Sequence, residues 1–485
     1  MIGAIKMENS QNYFTICPKC YGLGKKNFKF RKQSKLRYEK ALEEFEKNIR
    51  EENPSPRPKI AQYLCDNCAG SGLIPSLTKN EADVKNFPHV AIIGAGIGGV
   101  ALAVACLHRS IPFTLYERDI SFDARAQGYG LTLQQASNSI KGLGLFSLKG
   151  GMHSTHHLVH NTQGERLSEW GMKTHAKLNK PPKRINVHIP RQSLRQALLD
   201  QLGDENKVQW GHQLISFTQS CDQQIELCFE TNGKKTHVKA DLLVGADGIY
   251  STVRRGLIGE AATPLEYIGY MVILGICSLE AIKGPKSPLL NSETVFQTVN
   301  GHERIYMMPF SEDSVMWQLS FPICEKEAKA LNAAGFDKLK EEACRRANWH
   351  HPIPEILSST LPSTVSGYPV YDRKLLLPQQ LERVGSVTLI GDAAHPMTPF
   401  KGQGANQALL DALCLARGIS VGCNLSSKWK ERGLRGAVLK EFEEEMLERS
   451  GAKVKDSAKA AKALHSVGVL REDNAPKGRL FTTEK

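Results

Sequence analysis

Short apolar runs alternate with helix-like segments through most of the chain. His89–Ile93 is an apolar run of strand length, and a glycine-rich turn and an alanine-rich stretch to Arg109 follow it directly. Further runs of this kind are Phe113–Tyr116, Asp241–Gly245 and Val387–Ile390. Strands that alternate with helices are typical of a parallel sheet with helical crossovers, so the pattern predicts an α/β fold.

The pattern changes in the middle of the chain, over residues 257–377. Tyr270–Leu274 and Val315–Leu319 are apolar runs that are rich in strand-favouring residues. They predict a second domain with a mixed β-sheet. Near the end, Glu441–Leu447 combines acidic and apolar residues as exposed helices do, so a C-terminal helix and tail are expected.

The composition is that of an ordinary soluble chain, and it excludes disordered and collagen-like proteins. Of the 485 residues, 41% are hydrophobic and 23% are charged, and this length allows two or three domains. The chain has no apolar run near the roughly 20 residues that a membrane span needs, and its polar start lacks a secretory signal. A cytoplasmic protein without a membrane span is therefore expected.

The turn after the first apolar run has the glycine spacing of a dinucleotide-binding loop. In the segment from residue 94 to 99, Gly94 permits the tight turn, Gly96 lets a pyrophosphate approach the backbone, and Gly99 lets helix and strand pack closely. Glu117 ends the second run, where a carboxylate can accept hydrogen bonds from ribose hydroxyls. This segment alone does not show whether the dinucleotide is NAD or FAD.

Two further glycine-and-aspartate turns also follow apolar runs. Asp247-Gly248 ends one run, and Gly391-Asp392 ends another, with Pro396 and the segment Gly402–Asn406 close behind. Together with the first glycine turn, they resemble the three signature segments of the FAD-dependent aromatic hydroxylases. This family of single-component flavin monooxygenases is typified by para-hydroxybenzoate hydroxylase and includes the tetracycline-inactivating monooxygenases.

The resemblance covers about residues 88–425 and implies how FAD is held. It implies that Glu117 contacts the adenosine ribose, that Asp392 contacts the ribityl and pyrophosphate part, and that Asp247 serves both FAD and the nicotinamide cofactor. Arg191 matches an arginine that approaches the flavin in this family. The cofactor-binding candidates are Gly94, Gly96, Gly99, Glu117, Arg191, Asp247, Gly248, Asp392, Pro396, Gly402, Gly404 and Asn406.

The reaction that the resemblance implies is a hydroxylation. NADPH or NADH reduces FAD, O2 forms a flavin C4a-hydroperoxide, and one oxygen atom passes to an aromatic or polyketide-like small molecule. No catalytic acid–base pair is expected from the protein, which instead excludes water and positions the substrate ring. The alternative enzyme is a flavin-dependent reductase of the same superfamily.

Four of the twelve cysteines form two CxxCxGxG units, Cys17–Gly24 and Cys65–Gly72. Glycine-containing turns let each pair chelate, and four thiolates complete a tetrahedral zinc site. The units resemble the cysteine-rich zinc repeats of DnaJ-type chaperones, although only two copies are present. The predicted ligands of a structural zinc are Cys17, Cys20, Cys65 and Cys68, with a redox dithiol pair as the alternative.

Basic residues are concentrated at the N-terminal end. The net charge is +13, and residues 1–80 contain 15 basic and 8 acidic side chains. Residues 25–40 interleave cations with aromatics, a mixture that can bind single-stranded nucleic acid or an acidic partner. The alternatives are a solvated helical arm, or a module that tethers a polypeptide or nucleic acid to the flavoprotein.

These interpretations divide the chain into four parts, and the substrate pocket is expected between the mixed sheet and the flavin. The predicted parts are a zinc-binding module at 1–80, a Rossmann-like FAD-binding domain at 85–150, 186–256 and 378–425, a substrate domain at 151–185 and 257–377, and a C-terminal helix and tail at 426–485. The pocket candidates are Tyr306, Met308, Trp317, Phe321 and Phe400. Residues of these types pack in hydrophobic cores more often than they contact ligands.

Overall fold

The chain divides into two compact units, Met1–Glu81 and Ala82–Lys485. The computed structural model describes residues 13–28, 32–48, 58, 60–124, 129–137, 139–171, 186–203, 207–219, 224–382, 385–423, 429–473 and 476–477.

The first unit is built from two short antiparallel strand pairs and one helix. Strand β1 (Tyr13–Ile16) pairs with β4 (Leu73–Ser76), and β2 (Lys25–Asn27) pairs with β3 (Gln62–Leu64). Helix α1 (Lys32–Asn48) lies between β2 and β3 in the chain and is largely exposed. Because both pairs join the start of the unit to its end, the two cysteine-containing turns are brought together.

The second unit contains a five-stranded parallel sheet in the order β12-β6-β5-β16-β22. Its strands are β5 (Val90–Ile93), β6 (Phe113–Tyr116), β12 (Val208–Gln209), β16 (Leu242–Gly245) and β22 (Val387–Leu389). Strands β5, β16 and β22 are completely buried, as continuous apolar runs require when both faces of a sheet are covered.

Two helices follow strands of this sheet and pack on each other. They are α2 (Ile97–Leu107), which follows β5, and α9 (Gly404–Gly422), which follows β22. The helices approach closely because Gly98 has no side chain: a Cβ there would lie 3.3 Å from the Cβ of Ala408. The two helices therefore pack tightly against each other at this position.

A seven-stranded mixed sheet has the order β10-β9-β18-β19-β20-β17-β21. Its strands are β9 (His156–His160), β10 (Arg166–Gly171), β17 (Leu265–Ser278), β18 (Thr294–Val299), β19 (Arg304–Ser311), β20 (Ser314–Pro322) and β21 (Ser366–Arg373). Only the β9–β18 pair is parallel among its pairs. One face of this sheet packs on a core that contains Trp317 and Phe321.

The remaining elements lie between or after the strands of these two sheets. The other strands are β7 (Gly130–Leu133), β8 (Met152–His153), β11 (Val187–Pro190), β13 (Gln213–Gln219), β14 (Ile225–Thr231) and β15 (Lys234–Ala240). The other helices are α3 (Arg191–Leu199), α4 (Thr252–Ile258), α5 (Glu325–Ala333), α6 (Phe336–Arg346), α7 (Ile353–Ser359), α8 (Pro378–Leu381), α10 (Trp429–Leu434) and α11 (Lys440–Leu464).

The architecture confirms the predicted α/β class, with a parallel sheet, a mixed sheet and a C-terminal helix. Among the described residues, no helix combines the length and the apolar character that crossing a bilayer requires.

Candidate functional site

A cavity of about 900 Å³ lies within the second unit, between the parallel sheet and the mixed sheet. The carboxyl ends of parallel strands meet at one edge of a sheet, and ligands of open α/β sheets bind outside this edge. Four neighbouring strands end here: Glu117 follows β6, Gly94 follows β5, Asp247 follows β16, and Asp392 follows β22. All four residues line the cavity, so the structure brings the three predicted turns together.

The glycines of the first turn have different physical roles. Gly94 has a φ of 102°, and a Cβ there would lie 2.6 Å from the carbonyl oxygen of Ala246. A Cβ at Gly99 would lie 1.9 Å from the carbonyl oxygen of Gly94, so Gly99 permits the close turn but does not line the cavity. At Gly96, the nearest atom to a Cβ is 3.7 Å away, on Arg191, so this position leaves room for a ligand.

Glu117 and Arg195 fix the backbone of the first turn. One Glu117 oxygen accepts a hydrogen bond from the backbone N of Ala95 at 2.7 Å, and the other accepts from the backbone N of Asp119 at 3.1 Å. Arg195 donates to the carbonyl oxygen of Ala95 at 2.7 Å and packs on Trp210. Arg195 could not be predicted from the sequence, because its partner is a backbone atom 100 residues away.

Asp247 caps helix α4, as well as facing the cavity. Its carboxylate accepts hydrogen bonds from the backbone N of Thr252 at 2.7 Å and from the hydroxyl of Ser251. Burial raises the pKa of Asp247, and these hydrogen bonds oppose that shift. The next residue, Gly248, has a φ of 80°, and no atom lies within 4 Å of the position that a Cβ would take.

Asp392 and Arg191 bring opposite charges to the wall of the cavity. The exposed surface of Asp392 faces the cavity, and its Oδ1 lies 3.5 Å from the position of a Cβ on Gly404. Burial raises the pKa of Asp392, although the charges of His395 and Arg191 partly offset this effect. The guanidinium of Arg191 lies 5.5 Å from the ring centre of Tyr129.

A buried ionic network holds the turn that carries Asp392. Asp411 is completely buried; it accepts a hydrogen bond from the backbone N of Gly391 at 2.9 Å and contacts Nε2 of His395 at 2.6 Å. Arg449, from helix α11, donates to the second Asp411 oxygen at 2.9 Å. Burial acts against ionisation, but the charges and hydrogen bonds of His395 and Arg449 hold the pKa of Asp411 below its usual range.

Arg254 supports the same turn from the opposite side. Its Nη1 donates to the carbonyl oxygens of Ala393 at 2.8 Å and Ala394 at 2.9 Å. Neither Asp411 nor Arg254 has a local sequence signal that would identify these contacts, since the partners of both lie far along the chain.

Helix α9 begins at Gly404, and its first turn lines the cavity. Pro396 and Gly402 also line the cavity. Asn406 does not, because its side chain donates to the carbonyl oxygens of Thr132 and Gly402 and accepts from the backbone N of Gln134 at 2.8 Å. Its contact is therefore with the protein: it ties β7 to the start of α9.

The predicted pocket residues separate by the face of the mixed sheet on which they lie. Tyr306 and Met308 of β19 line the cavity, as does Phe400. Trp317 and Phe321 of β20 are completely buried on the opposite face, so these two candidates are core residues, as their residue types favoured. Side chains alternate along a strand, and both lie out of phase with the cavity-lining residues of β20.

The four predicted zinc ligands form a buried cluster in the first unit. Their Sγ atoms all lie within 4.8 Å of one another, with Cys17 and Cys65 separated by 4.0 Å and Cys20 and Cys68 by 3.7 Å. Tetrahedral coordination with Zn–S bonds of about 2.3 Å requires sulfur atoms about 3.8 Å apart, so the cluster fits the ion.

The two cysteine turns have matching backbone conformations. Tyr21 and Ala69 both have positive φ angles, and the glycines that follow each of them do too. The backbone N of Gly24 donates to Sγ of Cys20 at 3.2 Å, and Gly72 makes the same bond to Cys68. Donors that point at sulfur favour thiolates, the form that binds metal.

Comparison with known proteins identifies what this chain resembles. The family described as "FAD binding domain" matches residues 88–424. The aurachin C monooxygenase/isomerase of Stigmatella aurantiaca is 30% identical over 340 residues, which cover 69% of this chain and 82% of that protein. The 3-amino-4-hydroxybenzoate 2-monooxygenase PtmB3 of Streptomyces platensis is 27% identical, covering 68% of this chain and 79% of that protein.

A solved structure has the same fold. The crystal structure of Klebsiella pneumoniae HpxO with FAD and uric acid superposes with a TM-score of 0.63 at 21% identity, and the match covers 80% of this chain and 93% of HpxO.

Proposed function

The chain belongs to the family of FAD-dependent monooxygenases, and from this premise we propose that it hydroxylates an aromatic or polyketide-like small molecule. One relative is named for a substituted hydroxybenzoate, which favours an aromatic ring as the substrate. Both relatives reported above are named as monooxygenases, and this favours hydroxylation over the alternative of a flavin-dependent reductase.

One observation carries the proposal: Glu117, Asp247 and Asp392 follow three strands of the same parallel sheet and line a single cavity. We assign Glu117 to the adenosine ribose, Gly96 and the N-terminus of α2 to the pyrophosphate, and Asp392 to the ribityl chain. Gly402 and Gly404 leave the backbone bare where the flavin ring would approach. These residues fit FAD because Gly96, Gly402 and Gly404 leave the backbone open to a bound cofactor, while Glu117 and Asp392 bring carboxylates to the same cavity.

The protein itself binds and orients the cofactor and the substrate, and it excludes water from the cavity. Bound FAD supplies the redox chemistry, with electrons from NADPH or NADH and oxygen from O2. The N-terminus of α9 directs unpaired N–H groups and the positive end of the helix dipole toward the cavity, which stabilises negative charge there. Leu274, Met308 and Met316 of the mixed sheet give the far wall apolar surface that excludes water.

The test is turnover with labelled oxygen. Purified protein should be yellow, should oxidise NADPH or NADH faster when its substrate is present, and should transfer one atom of heavy-isotope O2 to that substrate. Protein that binds no FAD, or that oxidises the nicotinamide cofactor without ever labelling a product, would contradict the proposal. Comparing the two nicotinamide cofactors in the same assay decides which one is used.

For the first unit, we propose a structural zinc on Cys17, Cys20, Cys65 and Cys68. All four thiols are buried and no ligand position is left for a substrate, as in closed structural sites. The ion would stabilise a unit whose short strand pairs provide little apolar core, because metal binding adds directly to the free energy of folding.

We further propose a cytoplasmic location, since the described cysteines are all free thiols and such cysteines are typical of reducing compartments. The boundaries predicted for the four parts of the chain are also part of what we propose. An acidic partner for residues 25–40 stays a prediction; Phe28 and Leu36 in this segment are exposed, which is compatible with a contact surface.

A further inference from the structure

An exposed pair of aromatic rings lies on the β2–β3 ribbon of the first unit. Lys26 and Tyr63 are directly opposite each other in the ribbon, and Phe28 follows Lys26 by two residues, so these side chains share one face. The backbone N of Phe28 donates to the carbonyl oxygen of Ala61 at 3.0 Å, which extends the pairing to this residue. The ring centres of Phe28 and Tyr63 are 4.9 Å apart.

Both rings are accessible although they contact each other. Phe28 is 53% exposed and Tyr63 is 42% exposed. Leu64, Leu23 and Tyr21, on the same ribbon or in the turn that precedes it, are also exposed. Exposed apolar residues that cluster in one small region, in contrast to single ones, mark interaction sites.

The cysteine cluster holds this ribbon in place. Cys65 follows β3 directly, and its backbone N donates to the carbonyl oxygen of Gly24 at 2.9 Å, so the ribbon begins at the two cysteine turns. At the other end, the side chain of Gln62 donates to that of Asn27 at 3.0 Å. The rings are therefore presented by a fixed backbone, and little conformational entropy is lost when a ligand binds them.

The segment that contains β2 is strongly basic. Residues 17–38 contain eight basic side chains and no acidic one. Lys25 is exposed, and Nζ of Lys26 lies 3.2 Å from Oδ1 of Asp66. The Asp66 side chain is 77% exposed, and ion pairs of this kind contribute less than about 1 kcal/mol. A phosphate can therefore replace Asp66 as the partner of Lys26.

The combination of rings and cations favours one class of ligand. Lysines attract any polyanion, whether nucleic acid or acidic polypeptide. Paired exposed rings favour a polyanion whose repeating units carry π-faces, and bases of every kind stack on aromatic side chains. In a duplex the bases are stacked on each other, so only a single strand offers their faces.

We propose that the β2–β3 ribbon binds single-stranded nucleic acid, with bases stacked on Phe28 and Tyr63 and phosphates on Lys25 and Lys26. The site lies wholly within the first unit and uses no residue of the FAD cavity. It therefore does not depend on the proposed reaction.

The test is fluorescence anisotropy with the full chain, loaded with FAD. The probe is an oligothymidylate of about 12 nucleotides that carries a red dye, so that flavin fluorescence does not interfere. We expect a Kd between about 10⁻⁶ and 10⁻⁴ M at physiological salt, the range of non-specific binding, and weaker binding as the salt concentration rises. A duplex of the same length and a polyglutamate peptide, each with the same dye, should bind less tightly.

Substitutions of the rings locate the site. Phe28→Ala and Tyr63→Ala should each weaken binding at least fivefold, the equivalent of about 1 kcal/mol for one stacked base. Tyr63→Trp should retain binding, because its ring also stacks on a base. Phe336→Ala is the matched control, since this phenylalanine is 56% exposed in the second unit and should leave the affinity unchanged.

Substitutions of the charges should have opposite effects. Lys25→Gln should weaken binding and reduce the slope of log K against log salt by about 0.7, the value for one phosphate contact with a single strand. Asp66→Asn should strengthen binding, because it removes a negative charge and releases Lys26. A gain of affinity cannot result from unfolding, so this variant separates binding from a merely structural role.

No change of anisotropy at protein concentrations up to about 10⁻⁴ M in low salt would overturn the inference. Tighter binding of the duplex or of polyglutamate would also overturn it, and the latter would indicate an acidic polypeptide as the partner instead. The same holds if both alanine variants keep the wild-type affinity. Oxidation of NADPH or NADH is measured separately, so failure of the proposed function and failure of this inference are distinguishable.

Discussion

Asp411 holds the Asp392 turn through three buried contacts, so the substitution Asp411→Asn tests how that turn is supported. Asparagine has nearly the same volume but lacks the charge that faces His395 and Arg449. The backbone N of Gly391 also loses a charged acceptor. Removing one partner of a buried ion pair costs about 3–5 kcal/mol, and we expect about 3 kcal/mol because the amide oxygen still accepts one bond.

This loss should be measurable both as stability and as cofactor affinity. For domains of 150–250 residues, each kcal/mol shifts Tm by about 2–4 °C, and larger domains shift less. The second unit, Ala82–Lys485, is larger than that range, so a decrease of about 6 °C, at the lower end, is expected. FAD affinity should fall about tenfold, the equivalent of about 1.4 kcal/mol, because Asp392 is adjacent to the loosened Gly391.

The pH dependence has a definite sign. The pKa of Asp411 is lower in the folded protein than in the unfolded chain, where it is about 3.9. Its contribution to stability is therefore complete above that value and is lost as the pH falls through the folded pKa. The difference in the free energy of unfolding between wild type and variant should be constant from about pH 6 to 8, and it should become smaller in acid below about pH 4.

The assay is thermal unfolding followed by circular dichroism, together with FAD titration. Asp456→Asn is the control, since Asp456 is half exposed and only faces Lys401 at 3.6 Å; its Tm should stay close to that of the wild type. An Asp411→Asn protein with unchanged Tm and unchanged FAD affinity would refute the role of the network.

Two further pairs of substitutions test the first glycine turn and the cysteine cluster. The first pair distinguishes a glycine needed for packing from one needed for FAD binding, and the second distinguishes a zinc site from a redox dithiol. Gly99→Ala should prevent correct folding around the first turn, because its Cβ would lie 1.9 Å from a backbone oxygen, whereas Gly96→Ala should fold normally and weaken FAD binding in a fluorescence titration. Normal FAD binding by both variants would contradict this distinction. Metal analysis should find one zinc per chain in the wild type and little in Cys65→Ser, while Cys324→Ser, at an exposed free thiol, keeps its zinc. Zinc-free wild-type protein would instead favour the dithiol alternative.

The residues that sequence analysis could place are those whose role depends on local chain geometry. All residues of a glycine turn between an apolar strand and a helix lie within one short segment of the sequence. The same is true of a CxxC turn, so both can be recognised from residue spacing alone. Parallel pairing then brings the ends of such strands to one edge, so Glu117 and Asp392 could be expected at the same edge of the sheet.

The missed residues depend on contacts between distant segments. Arg195 and Arg449 act on atoms about 100 and 40 residues away, and no periodicity marks such partners. Trp317 and Tyr306 are both large residues in strands, and only the phase of each strand relative to the cavity decides that Tyr306 lines it. That phase is set by packing of the whole mixed sheet.

The most direct test of the account is titration of the protein with FAD, comparing the wild type with Glu117→Gln, Asp247→Asn and Asp392→Asn. We expect one FAD per chain in the wild type and weaker binding in each single variant, since the three carboxylates surround one cavity. A chain that takes up no FAD, or one whose affinity is the same in all four proteins, would contradict the claim that these turns form a single cofactor site.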